Sequence, residues 1–166
     1  MCGILYAESP TTTEFAKSFM TLKKRGPDCH SIYPINDCVM GHTRLAIYEP
    51  LHAKQPFKRG PWVLIFNGEI YMPGDGQMIL DMVEEHGPLE APKHLDGIFA
   101  YVLYNKQTRA VYATRDPIGV CPLFKGLYNN NLWIASEAKA LQHCDEVKIV
   151  QPGHVNGKRY VRDYPR

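Results

Sequence analysis

Residues 2–7 of the chain read CGILYA, and this stretch decides how the fold is interpreted. It is a short apolar run, which predicts a buried strand beginning almost at the first residue. Thr11 and Glu14 then have the spacing of a capping box, and Phe15, Phe19 and Leu22 follow on one helical face. We therefore expect a helix after the first strand, ending where glycine and proline occur together in residues 25–28 (RGPD).

The remainder of the chain predicts many β segments and few helices. Residues 77–86 (QMILDMVEEH) place apolar side chains along one helical face, and residues 137–142 fit a second, short helix. Strands are expected at residues 38–41, 62–66, 98–105, 110–114, 123–127, 132–135 and 159–161, with hairpin turns at 106–108 and 129–131. This pattern favours an α+β layered fold over a doubly wound parallel sheet, in a single domain spanning residues 1–166.

The overall charge excludes several classes of protein. The 166 residues include 19 Lys and Arg against 17 Asp and Glu, which gives a net charge of +2. This balance argues against nucleic-acid binding, because tracking a phosphate backbone needs a clear cationic surplus. No apolar run approaches the roughly 20 residues of a membrane span, and the chain does not open with a basic segment followed by an apolar one. We expect a cytoplasmic protein that binds neither nucleic acid nor a membrane.

The cysteines indicate a reducing environment. They occur at positions 2, 29, 38, 121 and 144 without any C-x-x-C pair, a pattern that fits neither a disulfide framework nor a zinc site. The seven histidines form no H-E-x-x-H motif. We therefore expect no metal and no other cofactor, and we interpret the last four cysteines as small buried apolar residues. The role of Cys2 is the question that remains.

Cys2 has the chemistry of a nucleophile if it becomes the first residue of the mature chain. Its small side chain permits removal of Met1, and the freed α-amine has a reference pKa of about 7.7–8.0, so it can accept the thiol proton. A terminal cysteine thus combines nucleophile and base in one residue. Taken alone, a cysteine at this position is more simply explained by N-terminal processing or by chance.

Seven stretches, taken in order, resemble the class II (N-terminal nucleophile) glutamine amidotransferases, and most closely the glutaminase domain of asparagine synthetases. They begin at residues 1, 25, 41, 66, 96, 115 and 135 and read MCGI, RGPD, GHTRLAI, FNGEIY, DGIFAYVLY, RDPIGVCPLF and ASEAKAL. The resemblance implies a four-layer αββα sandwich of two antiparallel sheets. It also implies that glutamine is hydrolysed to glutamate and ammonia through a γ-glutamyl thioester on Cys2.

The resemblance assigns Asn67 and Gly68 to an oxyanion hole. An asparagine amide and a glycine backbone N–H are suitable donors to the oxyanion of a tetrahedral intermediate. The alternative is that Asn-Gly after an apolar strand forms a two-residue hairpin turn.

The same resemblance places five residues around the amino-acid end of glutamine. Arg44 would bind the α-carboxylate, which a guanidinium matches with two parallel hydrogen bonds. Leu45 and Ile47 would line the pocket, although both are equally compatible with a plain core. Glu69 and Asp75 would bind the α-ammonium group, and Asp75 is also a candidate cap for the helix that follows. We interpret Arg25, Asp28, Arg115, Asp116, Gly119 and Glu137 as structural.

Two departures from the family pattern define the alternatives. Asp75 follows Asn67 by only eight positions, because the helix and strand usually found between them are missing. This shortening motivates a second hypothesis, which is a catalytically weakened regulatory module of the same fold that still binds glutamine. A third hypothesis is a relative that acts on another γ-glutamyl amide.

The chain also contains no Ser-Gly-Gly-x-Asp loop, the motif that grips pyrophosphate in the synthetase domain of the family. We therefore expect no synthetase domain, and a separate ATP-dependent, asparagine-synthetase-like partner that uses the ammonia.

Overall fold

A computed structural model describes residues 1–46 and 54–160. Within them are the α-helices α1 (Thr12–Thr21) and α2 (Gly76–His86) and two 3-10 helices, Ala91–His94 and Ala138–Leu141. The strands are β1 (Gly3–Glu8), β2 (Cys29–Ile35), β3 (Cys38–Arg44), β4 (Phe57–Arg59), β5 (Trp62–Ile70), β6 (Gly97–Asn105), β7 (Val111–Arg115), β8 (Phe124–Tyr128), β9 (Asn131–Ala135), β10 (Asp145–Ile149), β11 (His154–Val155) and β12 (Lys158–Arg159).

The strands form two six-stranded antiparallel sheets. The first sheet has the order β10-β8-β9-β1-β3-β2, and the second has the order β12-β11-β7-β6-β5-β4. Helix α1 covers the outer face of the first sheet and α2 the outer face of the second, because each helix packs into a core cluster with residues from that face. This arrangement confirms the predicted αββα sandwich.

Alternation along the strands separates three apolar layers. Residues of even number on β1, such as Ile4 and Tyr6, face the second sheet, whereas Leu5 and Ala7 face α1. On β5, Val63 and Ile65 complete the central layer. Each large apolar side chain that is fully buried contributes roughly 1.5–3 kcal/mol, so the central layer provides much of the stability.

Most predicted elements are confirmed, and the missed ones have identifiable causes. Thr11 Oγ1 accepts a bond from the Glu14 amide at 3.1 Å, and the Thr11 amide donates to the Glu14 carboxylate at 2.9 Å, which is the capping box. Both hairpins are present. The sequence did not predict β2, β4, β10 and β11, because β2 contains a proline, β10 is exposed throughout and the other two are very short. The last strand ends at Arg159, and Val161 lies outside the described residues.

A buried carboxylate organises the loop after β7. Asp116 accepts hydrogen bonds from the backbone amides of residues 118–121 and of Phe99 on β6, at 2.7–3.4 Å. The neighbouring Arg115 donates to the carbonyls of Gly119, Cys121 and Val150. These contacts fit the structural role expected for both residues. No helix among the described residues has the length and apolar character needed to cross a membrane.

The Asp116→Ala substitution should destabilise the fold by about 3 kcal/mol, because it leaves several buried backbone amides without their acceptor. The measurement is urea-induced unfolding at pH 7. The control is Asp37→Ala, which removes an exposed ion pair to Arg109 and should cost less than about 1 kcal/mol. Equal losses in the two variants would contradict the proposed role of the buried carboxylate.

Candidate active site

A cavity of about 200 Å³ opens where the first residues of β1 meet the last residues of β3 and β5. It brings together seven of the eight residues predicted from the sequence, which are Cys2, Arg44, Leu45, Asn67, Gly68, Glu69 and Asp75. The eighth, Ile47, lies outside the described residues. The antiparallel register of β1 and β3 explains why Cys2 and Arg44 come together. Gly3 is opposite Thr43, so Cys2 lies beside Arg44.

The backbone next to Cys2 is fixed by several polar contacts. Arg25 Nε donates to the Cys2 carbonyl at 2.9 Å, and its guanidinium forms an ion pair with Glu137 at 3.1 Å. Ser136 Oγ accepts a bond from the Ile4 amide at 2.9 Å. Arg25 and Glu137 therefore hold the first residues of β1 in place.

The other four cysteines have surroundings that differ from the sequence expectation. Cys38 and Cys121 are buried, but Cys144 is half-buried and Cys29 is exposed, so the expectation of four buried thiols is wrong. Cys29 is at the start of β2, where the strand reaches solvent. Burial raises the pKa of Cys121 and of Cys144 to about 11 and also raises the pKa of Cys38. These three thiols are therefore poor nucleophiles at neutral pH.

Asn67 and Gly68 lie inside β5, paired with Ala100 and Phe99 of β6. The two-residue turn considered from the sequence is therefore wrong. Gly68 has φ +137°, and a Cβ atom there would be 2.0 Å from the carbonyl oxygen of Ile98, so glycine is required.

The Asn67 side chain is buried without a partner. It is 1% exposed, and neither its Nδ2 nor its Oδ1 has a hydrogen-bond partner among the described residues. A buried amide left in this state costs about 1–3 kcal/mol. Because the amide lines the cavity, a ligand with a polar group is the natural partner for it.

The RGPD turn supports the end of β3. The Asp28 amide donates to the Arg44 carbonyl at 3.0 Å, and the Asp28 carboxylate accepts from the Ala46 amide at 2.6 Å. Gly26 packs so closely that a Cβ atom would be 2.2 Å from the Thr43 carbonyl carbon. The turn therefore fixes the backbone on both sides of Arg44, whose side chain is buried at the cavity.

Glu69 and Asp75 supply two carboxylates to the lining of the cavity. The short connection after Tyr71 carries Asp75 back to the cavity, with the Tyr71 amide bonded to the Asp96 carbonyl at 2.8 Å. Asp75 precedes α2 with φ 44°, and its side chain makes no capping bond. The capping role considered from the sequence is therefore wrong.

Two polar residues of the cavity were not predicted from the sequence. His42 is 3% exposed, and its Nε2 has no partner within the described part of the chain. Burial, together with the charge of Arg44, lowers the pKa of His42 to about 4, so the imidazole is neutral at pH 7. Strand alternation from Arg44 is the signal that could have found it. The second of these polar residues, Gln55, lies in a segment with no recognisable pattern. The rest of the lining is formed by Met1, Phe57, Phe66 and Ile98.

The cavity offers a thiol, a buried amide, a guanidinium and two carboxylates. A guanidinium and carboxylates in one cavity match the two charged groups of a free α-amino acid. A thiol beside an unpaired amide provides the nucleophile and the oxyanion donor that acyl transfer requires. The described residues contain no group of three or more His, Cys, Asp or Glu side chains that could hold a metal ion.

Comparisons with known proteins agree with this chemistry. A family described as "Glutamine amidotransferase domain" matches residues 1–155. The asparagine synthetase (glutamine-hydrolysing) of Sandersonia aurantiaca is 36% identical over 93% of this chain and 34% of its own length. Asparagine synthetase 2 of Oryza sativa subsp. japonica is 34% identical over 93% of this chain and 30% of its own. The chain thus spans about a third of the length of these relatives.

Solved structures share the fold. The glutamine phosphoribosylpyrophosphate amidotransferase from B. subtilis, complexed with ADP and GMP, matches with a TM-score of 0.79 at 15% sequence identity. The match covers 98% of this chain and 50% of that one.

Stability should fall as the pH is lowered from 7 to 5, because unfolded His42 takes up a proton near pH 6.5 whereas folded His42 remains neutral until about pH 4. We expect His42 to account for a loss of about 2 kcal/mol over this range. The measurement is the free energy of unfolding by urea at pH 7 and pH 5, for the wild type and for the His42→Gln variant. His143, whose pKa is also lowered by burial, titrates in both proteins and cancels. Equal losses in the two proteins would contradict the assignment.

Proposed function

Since this chain belongs to the glutamine amidotransferase family, we propose that it hydrolyses glutamine to glutamate and ammonia with Cys2 as the nucleophile. The observation that carries this proposal is the unpartnered Asn67 amide lining the same cavity as Cys2. A buried donor without a partner is what an oxyanion hole presents before its substrate binds.

In the proposed first step, the α-amine of Cys2 accepts the thiol proton, and Sγ attacks the γ-carboxamide carbon of glutamine. The negative charge that develops on the carboxamide oxygen is stabilised by Asn67 Nδ2 and the Gly68 N–H. The ammonium of Cys2 returns the proton to the leaving nitrogen, which departs as ammonia. Water then attacks the γ-glutamyl thioester, and the thiol is regenerated with release of glutamate.

The amino-acid end of glutamine is proposed to bind between opposite charges. Arg44 takes the α-carboxylate, and Glu69 and Asp75 take the α-ammonium group. Leu45 contributes to the wall of the cavity. Fixing both ends of the substrate brings its γ-carbon to Cys2, which lowers the entropic cost of attack.

The mechanism requires that Met1 be removed, since the Met1–Cys2 peptide bond occupies the α-amine. Met1 precedes β1 and is 50% exposed. The small side chain of Cys2 is compatible with removal. The proposal therefore predicts a mature chain that begins at Cys2.

We propose further that the ammonia passes to an asparagine-synthetase-like partner. The relatives are named glutamine-hydrolysing asparagine synthetases, and this chain matches about a third of their length. The proposed roles of its thiol and charged groups concern glutamine hydrolysis, and we assign the ATP-dependent step to a synthetase subunit or domain. Mixing this chain with a candidate synthetase, aspartate, glutamine and ATP should yield asparagine only when both proteins are present.

Labelling with an electrophilic glutamine analogue tests the nucleophile. We expect one label on Cys2 of a chain lacking Met1, as seen by mass spectrometry, and loss of ammonia release by a factor of at least about 10³ in Cys2→Ala. Cys29→Ser is the matched control because Cys29 is also solvent-accessible, and it should keep both labelling and turnover. Retention of Met1 or labelling elsewhere would refute the proposal.

Replacing Asn67 by alanine should lower kcat by about 10²–10³ and leave KM within about threefold, because the amide acts on the transition state rather than on bound glutamine. Steady-state ammonia release measures both constants. A rise in KM with an unchanged kcat would instead assign Asn67 to ground-state binding.

The second candidate is a glutamine-binding regulatory module of the same fold. The shortened connection between Asn67 and Asp75 favours it, because it changes the wall that closes over the substrate. Glutamine binding by calorimetry without ammonia release would support this candidate, and measurable turnover would exclude it. Competition by other γ-glutamyl amides tests the third possibility, a different amide substrate.

A further inference from the structure

The outer edge of β5 loses its strand partner just before Asn67. Strand β4 pairs with β5 from Arg59 opposite Trp62 to Phe57 opposite Leu64, and β4 begins at Phe57. On its other side β5 remains paired with β6 as far as Ile70. Phe66 is therefore left with one N–H and one C=O that β4 does not reach, although both are buried.

The side chain of Gln55 takes the place of the missing strand. Its Oε1 accepts from the Phe66 amide at 2.7 Å, and its Nε2 donates to the Phe66 carbonyl at 3.0 Å. Extending the β4–β5 register by two residues would bring Gln55 opposite Phe66, so the carboxamide supplies both bonds that a paired backbone residue would make. Gln55 is 6% exposed, and its own carbonyl accepts a bond from Ser31 on β2 of the first sheet.

From this contact we infer that Gln55 is a positioning residue, which holds the β5 backbone so that Asn67 presents its amide to the reacting carboxamide. The inference rests on the proposed function. Asn67 directly follows Phe66, and its side chain has no partner within the described residues to hold it in place. Its orientation therefore depends on the backbone beneath it, and displacements of about 1 Å in such donors lower rates strongly. Gln55 also joins the two sheets at the cavity, through Ser31 and Phe66.

The decisive variant is Gln55→Glu. At pH 8 the carboxylate accepts from the Phe66 amide but faces the Phe66 carbonyl without a proton to donate. When protonated, the acid restores both bonds. We expect kcat at pH 8 to fall at least tenfold with KM within about threefold, and the ratio to wild-type kcat to recover about tenfold by pH 5.5. Gln55→Leu should lose activity similarly and recover at no pH.

Dividing the kcat of the variant by the kcat of the wild type at each pH cancels the effect of the other titrating groups. Among the described residues, the ionisable groups that share a cavity or cleft with Gln55 are the terminal amine and the side chains of Cys2, His42, Arg44, Glu69, Asp75, His30, Tyr33, Lys54 and Lys58. The wild-type protein contains all of them. Gln107→Glu is the matched control: Gln107 is exposed in the β6–β7 turn, and the variant should follow the wild-type pH profile.

Hydrogen exchange of the Phe66 amide gives a readout that does not depend on turnover. Exchange should be at least tenfold faster in Gln55→Leu than in the wild type, with amides of β1 unchanged. Unchanged exchange at Phe66 overturns the inference, and so does a raised KM with normal kcat, which would make Gln55 a substrate contact. A wild-type chain that releases no ammonia refutes the proposed function, and Phe66 exchange still decides whether Gln55 holds the strand.

Discussion

The antiparallel pairing of β1 with β3 is the constraint on which the site depends. Gly3 opposite Thr43 brings the first residue before β1 next to the last residue of β3, so a thiol and a guanidinium from distant parts of the sequence become neighbours. A shift of one residue would turn either side chain to the opposite face of the sheet. The buried central layer prevents such a shift, because Ile4, Tyr6 and Met40 would then lose their packing against the second sheet.

Because side chains alternate along a strand, one face of β5 carries both residues of the central layer and a residue of the cavity. On β5, Val63 and Ile65 fill the central layer, and Asn67 continues their face to the point where the layer opens. The apolar residues offset the unfavourable burial of an unpaired amide and a neutral imidazole nearby. Local violations of the rule that buried polar groups are satisfied are expected at functional sites, where a ligand completes the pairing. Asn67 and His42 are such violations, and both line the cavity.

The sequence predicted the fold and seven of the thirteen residues that line the cavity, for different reasons. Strands and helices with strong periodicity, such as residues 77–86 and 98–105, follow from the pattern of apolar residues alone. The site residues came from the resemblance, since nothing in the periodicity marks Asn67 as more than the start of a turn. Neither the apolar periodicity nor the family resemblance predicted Gln55. Its proposed role depends on β4 beginning at Phe57, and β4 has only three residues and no detectable pattern.

Support for the reacting groups comes from side chains that do not touch the substrate in the proposed mechanism. Arg25 holds the Cys2 carbonyl, Asp28 holds the backbone around Arg44, and Gln55 holds Phe66. Each bonds to the backbone at or next to a reacting or binding residue, and leaves that residue's side chain facing the cavity. Backbone contacts restrict position without occupying the polar atoms that the substrate needs. The proposed nucleophile, the proposed oxyanion donor and the guanidinium proposed to bind the α-carboxylate can therefore be held in place while their reactive atoms stay exposed, which is the condition for preorganised catalysis.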